Sequence, residues 1–218
     1  MAEVNLLNKL PRGKRNVNAR AEAKSPEVIA ESRKYGELYF DGPRTYGYGG
    51  YRYDGRWVPV AEDMIRHFGL KPGDRVLDVG CAKGFLVKDF MKACPGLEAF
   101  GLDISEYALM HCEPETVGRL HLGNAKKLPF PDNSFQAVIS LNTIHNLDRP
   151  DLITALREIE RLAPGKGFVQ VDSYRTPEQK ALFLEWVLTA HSHHYPDGWI
   201  ELFNEAGYTG DYYWTIVE

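Results

Sequence analysis

Beyond residue 57 the chain alternates short, continuous apolar runs with stretches whose apolar residues recur every three or four positions. Val58–Phe68 has the helical spacing, and the turn Lys71-Pro72-Gly73-Asp74 separates it from the run Arg75–Val79. Phe85–Ala93 is helical again and stops before Pro95-Gly96. Ala99–Asp103 is a second run, and Ser105 stands where a helix reaching about Cys112 needs its N-cap. Arg119–Leu122 and Phe135–Leu141 follow, the latter after Pro131-Asp132-Asn133. Leu152, Leu156 and Ile159 stripe one face of a helix that has Pro150 in its first turn and ends at Pro164-Gly165. Gly167–Asp172 is a fifth run, Glu178–Ala190 and Asp197–Ala206 are predicted helices, and Tyr212–Val217 is the last strand. Unbroken apolar strands alternating with helices predict an α/β fold, a doubly wound, mostly parallel sheet covered on both faces. Ligands of such sheets bind outside the carboxyl ends of the strands, so the chemistry is sought in the residues just after each strand.

The first 57 residues depart from this rhythm. Residues 1–34 are polar and partly helical, with Ser25 as N-cap and Pro26 at the first helical position of one helix. Residues 35–57 carry eight aromatics (Tyr35, Tyr39, Phe40, Tyr46, Tyr48, Tyr51, Tyr53 and Trp57) among six glycines. That mixture predicts neither a regular helix nor a plain strand. The expected organisation is an N-terminal extension and substrate lid over 1–57, followed by the sheet domain over 58–218.

Composition adds bounds. A chain of 218 residues, 44% apolar and 26% charged, suits one soluble domain. No apolar run approaches the roughly 20 residues of a membrane span, and no secretory signal pattern is present. The three cysteines lack metal-ligand spacing and read as free thiols of a cytoplasmic protein. The net charge of −4 gives no overall drive towards nucleic acid, although residues 1–34 hold eight Lys/Arg against four Glu.

The first strand runs into Leu77-Asp78-Val79-Gly80-Cys81-Ala82-Lys83-Gly84-Phe85. A glycine turn there lets backbone approach a ligand. A dinucleotide loop needs a third glycine where Phe85 stands, and no Lys-Ser/Thr pair of a P-loop follows, so neither NAD(P) nor a nucleoside triphosphate suits the site. Asp78 suits a ligand ammonium, and Asp103, ending the second strand, suits both hydroxyls of a ribose. S-adenosylmethionine, an amino acid joined to a phosphate-free nucleoside, satisfies both.

Three segments carry a family resemblance: Val76-Leu77-Asp78-Val79-Gly80-Cys81-Ala82-Lys83-Gly84, then Gly101-Leu102-Asp103-Ile104-Ser105, then residues 123–135 from Gly123-Asn124-Ala125 to Asn133-Ser134-Phe135. With these, residues 60–172 resemble the class I S-adenosylmethionine-dependent methyltransferases, in particular the type 11 methyltransferase domain. The resemblance implies that the turn holding Asp78, Gly80, Cys81 and Gly84 receives the methionine part. It places Asp103 on the ribose, Ile104 on the adenine, Asn124 and Ala125 at the adenine edge and Asn142 beside the sulfonium. Ala82, Asn124 and Gln136 replace a glycine and two aspartates common in the family, and only one strand is evident where the family closes with two.

Methyl transfer from a sulfonium is an in-line displacement that needs mainly proximity and alignment. His145, in Asn142-Thr143-Ile144-His145-Asn146, is expected on the rim after the fourth strand and is the candidate general base. Tyr48 is a second catalytic candidate. Asp172 and Tyr174, after the fifth strand, and His194, in a cluster with His191 and His193 where 191 and 194 would share a helical face, are candidates for substrate contact. Tyr46, Tyr51 and Arg52 join them from the aromatic segment, where tyrosine rings close the pocket and Arg44, Arg52 and Arg56 offer bonds to an anion. The expected function is methylation of a small polar metabolite. The alternatives are an RNA or protein methyltransferase docking through the basic arm, or a cofactor-binding subunit without catalysis.

Overall fold

The computed structural model describes residues 1–11 and 16–217. Six parallel strands form one sheet: β1 (Arg75–Val79), β2 (Glu98–Asp103), β3 (Leu120–Leu122), β4 (Ala137–Leu141), β5 (Gly167–Ser173) and β6 (Asp211–Ile216), in the order β3-β2-β1-β4-β5-β6. The predicted strands are all present, with ends moved by one or two residues. Alternation along each strand divides the core. Leu77, Val79, Val138, Val169 and Val171 meet one helical layer; Val76, Ala99, Ala137, Ile139 and Phe168 meet the other. The first layer is α7 (Arg149–Leu162) and α9 (Pro196–Ala206), which supply Leu152, Leu156, Ile159, Trp199 and Phe203. The second is α4 (Val58–Phe68) and α5 (Phe85–Ala93), which supply Val60, Met64, Leu86, Val87 and Phe90.

The helix starts follow local chemistry. Ser25 accepts the Val28 N–H at the head of α2 (Pro26–Ser32), and Ser105 accepts the Ala108 N–H at the head of α6 (Glu106–Met110). Helix α8 (Pro177–Trp186) ends four residues earlier than its pattern predicts. Residues 187–195 leave the helix because the His191 and Ser192 N–H groups donate to the His145 carbonyl at 3.0 and 2.9 Å. The three histidines therefore do not share a helical face. Among the described residues no group of His, Cys, Asp and Glu is arranged to hold a metal.

The closing strand β6 runs parallel to β5, and the start of the chain covers its outer edge. Tyr212 N–H donates to the Ala2 carbonyl at 3.0 Å, Val4 N–H donates to the Tyr212 carbonyl at 2.9 Å, and Ala2 N–H donates to Asp211 Oδ1 at 2.8 Å. Leu6 and Leu7 are then buried in the α4/α5 layer. Farther on, α1 (Val17–Ala23) lays Val17 against Tyr174 and Phe183, and Arg20 is buried with its guanidinium over the Trp186 ring. Arg20 donates to the Thr45 and Gly47 carbonyls, Lys24 to the Leu184 carbonyl, and Lys9 pairs with Asp63. These cations are engaged within the molecule, not held out as a docking arm. Arg12, Lys14 and Arg15 of the expected arm lie outside the described residues.

Because the first ten residues close an edge and fill core, Leu7→Ala should cost about 2–5 kcal/mol. Thermal unfolding should show a fall of several degrees, and an unchanged midpoint would contradict the packing.

Candidate functional site

The site begins with a joint between the first two strands. The chain leaves β1 through a turn whose Gly80 and Cys81 N–H groups both donate to the Leu102 carbonyl, at 2.7 and 3.1 Å. The Ala82 N–H then donates to Asp103 Oδ2 at 2.7 Å, and the Ser105 N–H to Asp103 Oδ1 at 2.8 Å. This geometry requires left-handed backbone at Gly80, Ala82 and Gly84, with φ of 86°, 50° and 77°. A side chain at Gly80 would also overlap Thr143, so the residue must be glycine for space as well as conformation. Ala82, where the family prefers glycine, takes the left-handed form, and the Asp103 bond holds it there. Gly101 is likewise required, since a Cβ would come within 2.6 Å of Cys81 Sγ.

Beside this joint lies a cavity of about 130 Å³ at the carboxyl ends of β1, β2 and β4. Gly80, Ala82, Asp103 and Ile104 form its floor, Gly123, Asn124 and Ala125 one end, and Leu141–Thr143 with Asn146 and Leu147 the other. Tyr35, Tyr39, Phe40 and Tyr48 roof it. Among the described residues no Lys, Arg or His stands on this wall, and its one carboxylate is Asp103.

Six of the expected cofactor residues therefore line one cavity: Gly80, Asp103, Ile104, Asn124, Ala125 and Asn142. Asp78, Cys81 and Gly84 are not on the wall. Cys81 is buried and packs its sulfur towards Gly101, and burial pushes its thiol well up. Asp78 is buried just behind the turn and makes no hydrogen bond or ion pair among the described residues. Burial and the Asp103 charge push its carboxyl up to about 7. Burial also raises the Asp103 carboxyl, against the pull of its backbone donors. Asn124 Oδ1 accepts the Lys126 N–H at 3.1 Å, and Asn142 Oδ1 accepts the Thr215 hydroxyl at 3.2 Å. Each side chain is left with its amide N–H groups to offer.

His145 is not on the rim. It is 3% exposed, and its Nδ1 accepts the Asp172 N–H at 3.0 Å while the Asp172 carboxylate stands 3.6 Å away. Burial lowers its pKa, opposed by Asp172. The ring is thus a neutral tie between β5 and the loop after β4, with Nδ1 unavailable as a base. Tyr174 is buried, with its hydroxyl 3.1 Å from His193 Nδ1. The His194 carbonyl accepts the Ser173 hydroxyl, and its ring meets Trp199 edge-on. Asp172, near the end of β5, Tyr174 just after it and His194 thus sit at the carboxyl end of β5 but off the cavity wall.

Of the aromatic segment, Tyr48 reaches the cavity; Tyr46, Tyr51 and Arg52 do not. Tyr51 stacks on Phe85 at 4.6 Å and packs at a tilt against Tyr48 at 4.3 Å, so it supports the roof from behind. Arg52 is exposed, Arg44 donates to the Gly47 and Tyr48 carbonyls, and Arg56 pairs with Asp54. The expected arginine grip on an anion is absent from this wall. Tyr35, Tyr39 and Phe40 stand on it instead; Tyr35 precedes the short helix α3 (Glu37–Phe40) with left-handed backbone, so no helical spacing in the sequence marks the three as one face. Burial, with Asp103 and Asp78 nearby, raises the Tyr48 hydroxyl, so it stays a neutral donor.

A glycine turn tied to an acidic strand tip, under an aromatic roof, thus stands at the carboxyl ends of the strands, where ligands of doubly wound sheets bind. Comparison with known proteins agrees. Residues 77–171 match the family model described as a methyltransferase domain, and the match supports a class I S-adenosylmethionine-dependent methyltransferase. A demethylmenaquinone methyltransferase of Geobacillus kaustophilus is 38% identical over 119 residues, 51% of this chain and 50% of that protein. A sterol 24-C-methyltransferase of Gibberella zeae is 37% identical over 114 residues, 48% of this chain and 29% of that protein. The chain thus spans half or less of the length of these relatives. Among solved structures, the complex of the Haloferax volcanii Trm112 methyltransferase activator with a putative methyltransferase matches with TM-score 0.56 at 24% identity, over 67% of this chain and 66% of that one. A putative sarcosine dimethylglycine methyltransferase of Galdieria sulphuraria matches with TM-score 0.54 at 16% identity, over 70% and 59%. Both show the fold.

Asp78 generates a test on the free protein. An acid whose folded pKa is about 7 against an ordinary 3.8 holds its proton in the fold after the unfolded chain has lost it, so stability falls as pH rises between those values. Asp78→Asn removes that contribution. In urea unfolding, its stability relative to the parent protein should rise from pH 5 to about pH 7 and then level off. A pH-independent difference would contradict the assignment.

Proposed function

We propose that the protein transfers the methyl group of S-adenosylmethionine to a small, uncharged acceptor bearing a hydroxyl or amino donor. The observation that carries this reading is Asp103 itself. A carboxylate has about four lone-pair directions; the Ala82 and Ser105 N–H groups use two and orient the group, leaving two for the hydroxyls of a ribose. Asp78, without a partner, suits the cofactor's ammonium. Asn124, whose oxygen is occupied, offers its N–H to a ring nitrogen of adenine.

The acceptor class follows from the rest of the wall. Beyond the adenosyl region it is built from Leu141, Thr143, Leu147, Tyr39 and Phe40, with no cation among the described residues to balance an anionic acceptor. Asn146 Oδ1 is buried without a partner, and its Nδ2–H donates to the Asn142 carbonyl at 3.3 Å, which fixes the amide's orientation. A buried orphan acceptor costs about 1–3 kcal/mol, and a hydroxyl or N–H of the substrate would satisfy it. The relatives named for demethylmenaquinone and sterol methylation agree with an apolar acceptor. With Nδ1 of His145 occupied and the Tyr48 hydroxyl held neutral, alignment under the roof supplies most of the rate; well-oriented reactants gain up to about 7–11 kcal/mol.

Calorimetry with S-adenosylhomocysteine tests both parts. Asp103→Ala should weaken binding by at least about 1.5–3 kcal/mol, the worth of a charged hydrogen bond, and unchanged affinity would reject the cofactor assignment. Asn146→Leu should leave that affinity unchanged and the free protein at least as stable. A loss matching that of Asp103→Ala would move Asn146 to the cofactor.

A further inference from the structure

The roof is fastened to the cofactor turn by a side chain that the chemistry above does not use. Lys83 lies inside the turn, between Ala82 and Gly84, and is 7% exposed. Its amino group donates to Asp41 Oδ2 at 2.6 Å and to the Tyr51 carbonyl at 3.1 Å. Asp41 is a hub: Oδ2 also accepts the Tyr107 hydroxyl at 2.8 Å, and Oδ1 accepts the Tyr51 N–H at 3.1 Å. The second cofactor segment makes a parallel attachment, with the Ser105 hydroxyl donating to the Tyr35 carbonyl at 2.5 Å. Tyr35 is held at φ 51°, a left-handed conformation uncommon for a bulky residue. Both anchors thus grow from the segments that bind cofactor, and both end on the aromatic segment that roofs it.

The limited room under the roof is the second observation. The cavity of about 130 Å³ is partly open to solvent, and Tyr35, Tyr39, Phe40 and Tyr48 narrow it. Movement of the roof would widen it for a nucleoside-sized cofactor, whose pockets usually measure roughly 300–1,000 Å³.

We propose that Lys83 is a positioning residue whose ion pair with Asp41 couples the aromatic roof to the cofactor turn, so that cofactor exchange requires this pair to open. The ligand's identity rests on the methyltransferase reading above; the coupling rests on the contacts just given. The pair is well shielded on the Lys83 side and 29% exposed on the Asp41 side, so solvent weakens it without cancelling it. Asp41 lies off the cavity wall, so its substitution reports on the roof without removing a cofactor contact.

Stopped-flow measurement of S-adenosylhomocysteine release from the full chain tests this, with thermal unfolding of each variant recorded alongside. Lys83→Met and Asp41→Asn should each speed release by about tenfold, or about 1.4 kcal/mol, somewhat less than a fully buried charged hydrogen bond because solvent reaches Asp41. The double variant should be no faster than the faster single one, because the two act through one contact. Lys83→Arg should restore much of the slow release. Release at the parent rate in both single variants, with or without a lower unfolding temperature, overturns the coupling while leaving the cofactor assignment standing. Fully multiplied effects in the double variant overturn it as well. A parent protein that binds no S-adenosylhomocysteine overturns the cofactor assignment and this proposal together.

Discussion

The hydrogen bond from the Ala82 amide to the Asp103 carboxylate is the contact on which the site depends. It ties the turn after β1 to the tip of β2, and it forms only because Gly80, Ala82 and Gly84 all take left-handed backbone. The bond aims the carboxylate, and the turn exposes backbone where a ligand must come close. The bifurcated acceptance by the Leu102 carbonyl locks the same joint from the other side. Two carboxylates near one another would otherwise repel. The protein accommodates them by keeping Asp78 buried, with its pKa lifted to about 7, while Asp103 is stabilised by backbone donors.

The strand order alone does not choose the ligand, because β3-β2-β1-β4-β5-β6 is also the order of dinucleotide-binding sheets. One residue makes much of the difference. Phe85 stands where a dinucleotide loop has its third glycine, and here its ring is the platform on which Tyr51 stacks. The position that denies room to a pyrophosphate thereby supports the roof. Closure of the sheet follows a similar economy: the start of the chain pairs with β6, then buries Leu6 and Leu7 in the layer that also packs behind the cofactor turn.

The sheet and its switch point were legible because strands buried on both faces write unbroken apolar runs, and because Gly80, Asp103 and Asn124 follow strand ends directly. Long-range pairings left no such mark. The α8 pattern continues to Ala190, yet the His145 carbonyl captures the next amides and draws residues 187–195 into an irregular path. His145 has the right place in the sequence for a rim base, but the backbone of Asp172 claims its Nδ1. In the aromatic segment, composition announced a cover without saying which rings face inward. That depends on Asp41 meeting Lys83 and on Ser105 meeting Tyr35, contacts between residues 42 and 70 positions apart. The first residues, ahead of a polar stretch, gave no sign that they would pair with the last strand.

The most direct measurement is titration calorimetry of S-adenosylhomocysteine near pH 7 in two buffers of different ionisation enthalpy. A ligand ammonium brought to Asp78 lowers its raised pKa, so binding should release a fraction of a proton, and Asp78→Asn should abolish that release while Asp103 still supports binding. Absence of binding, or binding with a proton balance that Asp78→Asn leaves unchanged, would contradict the account.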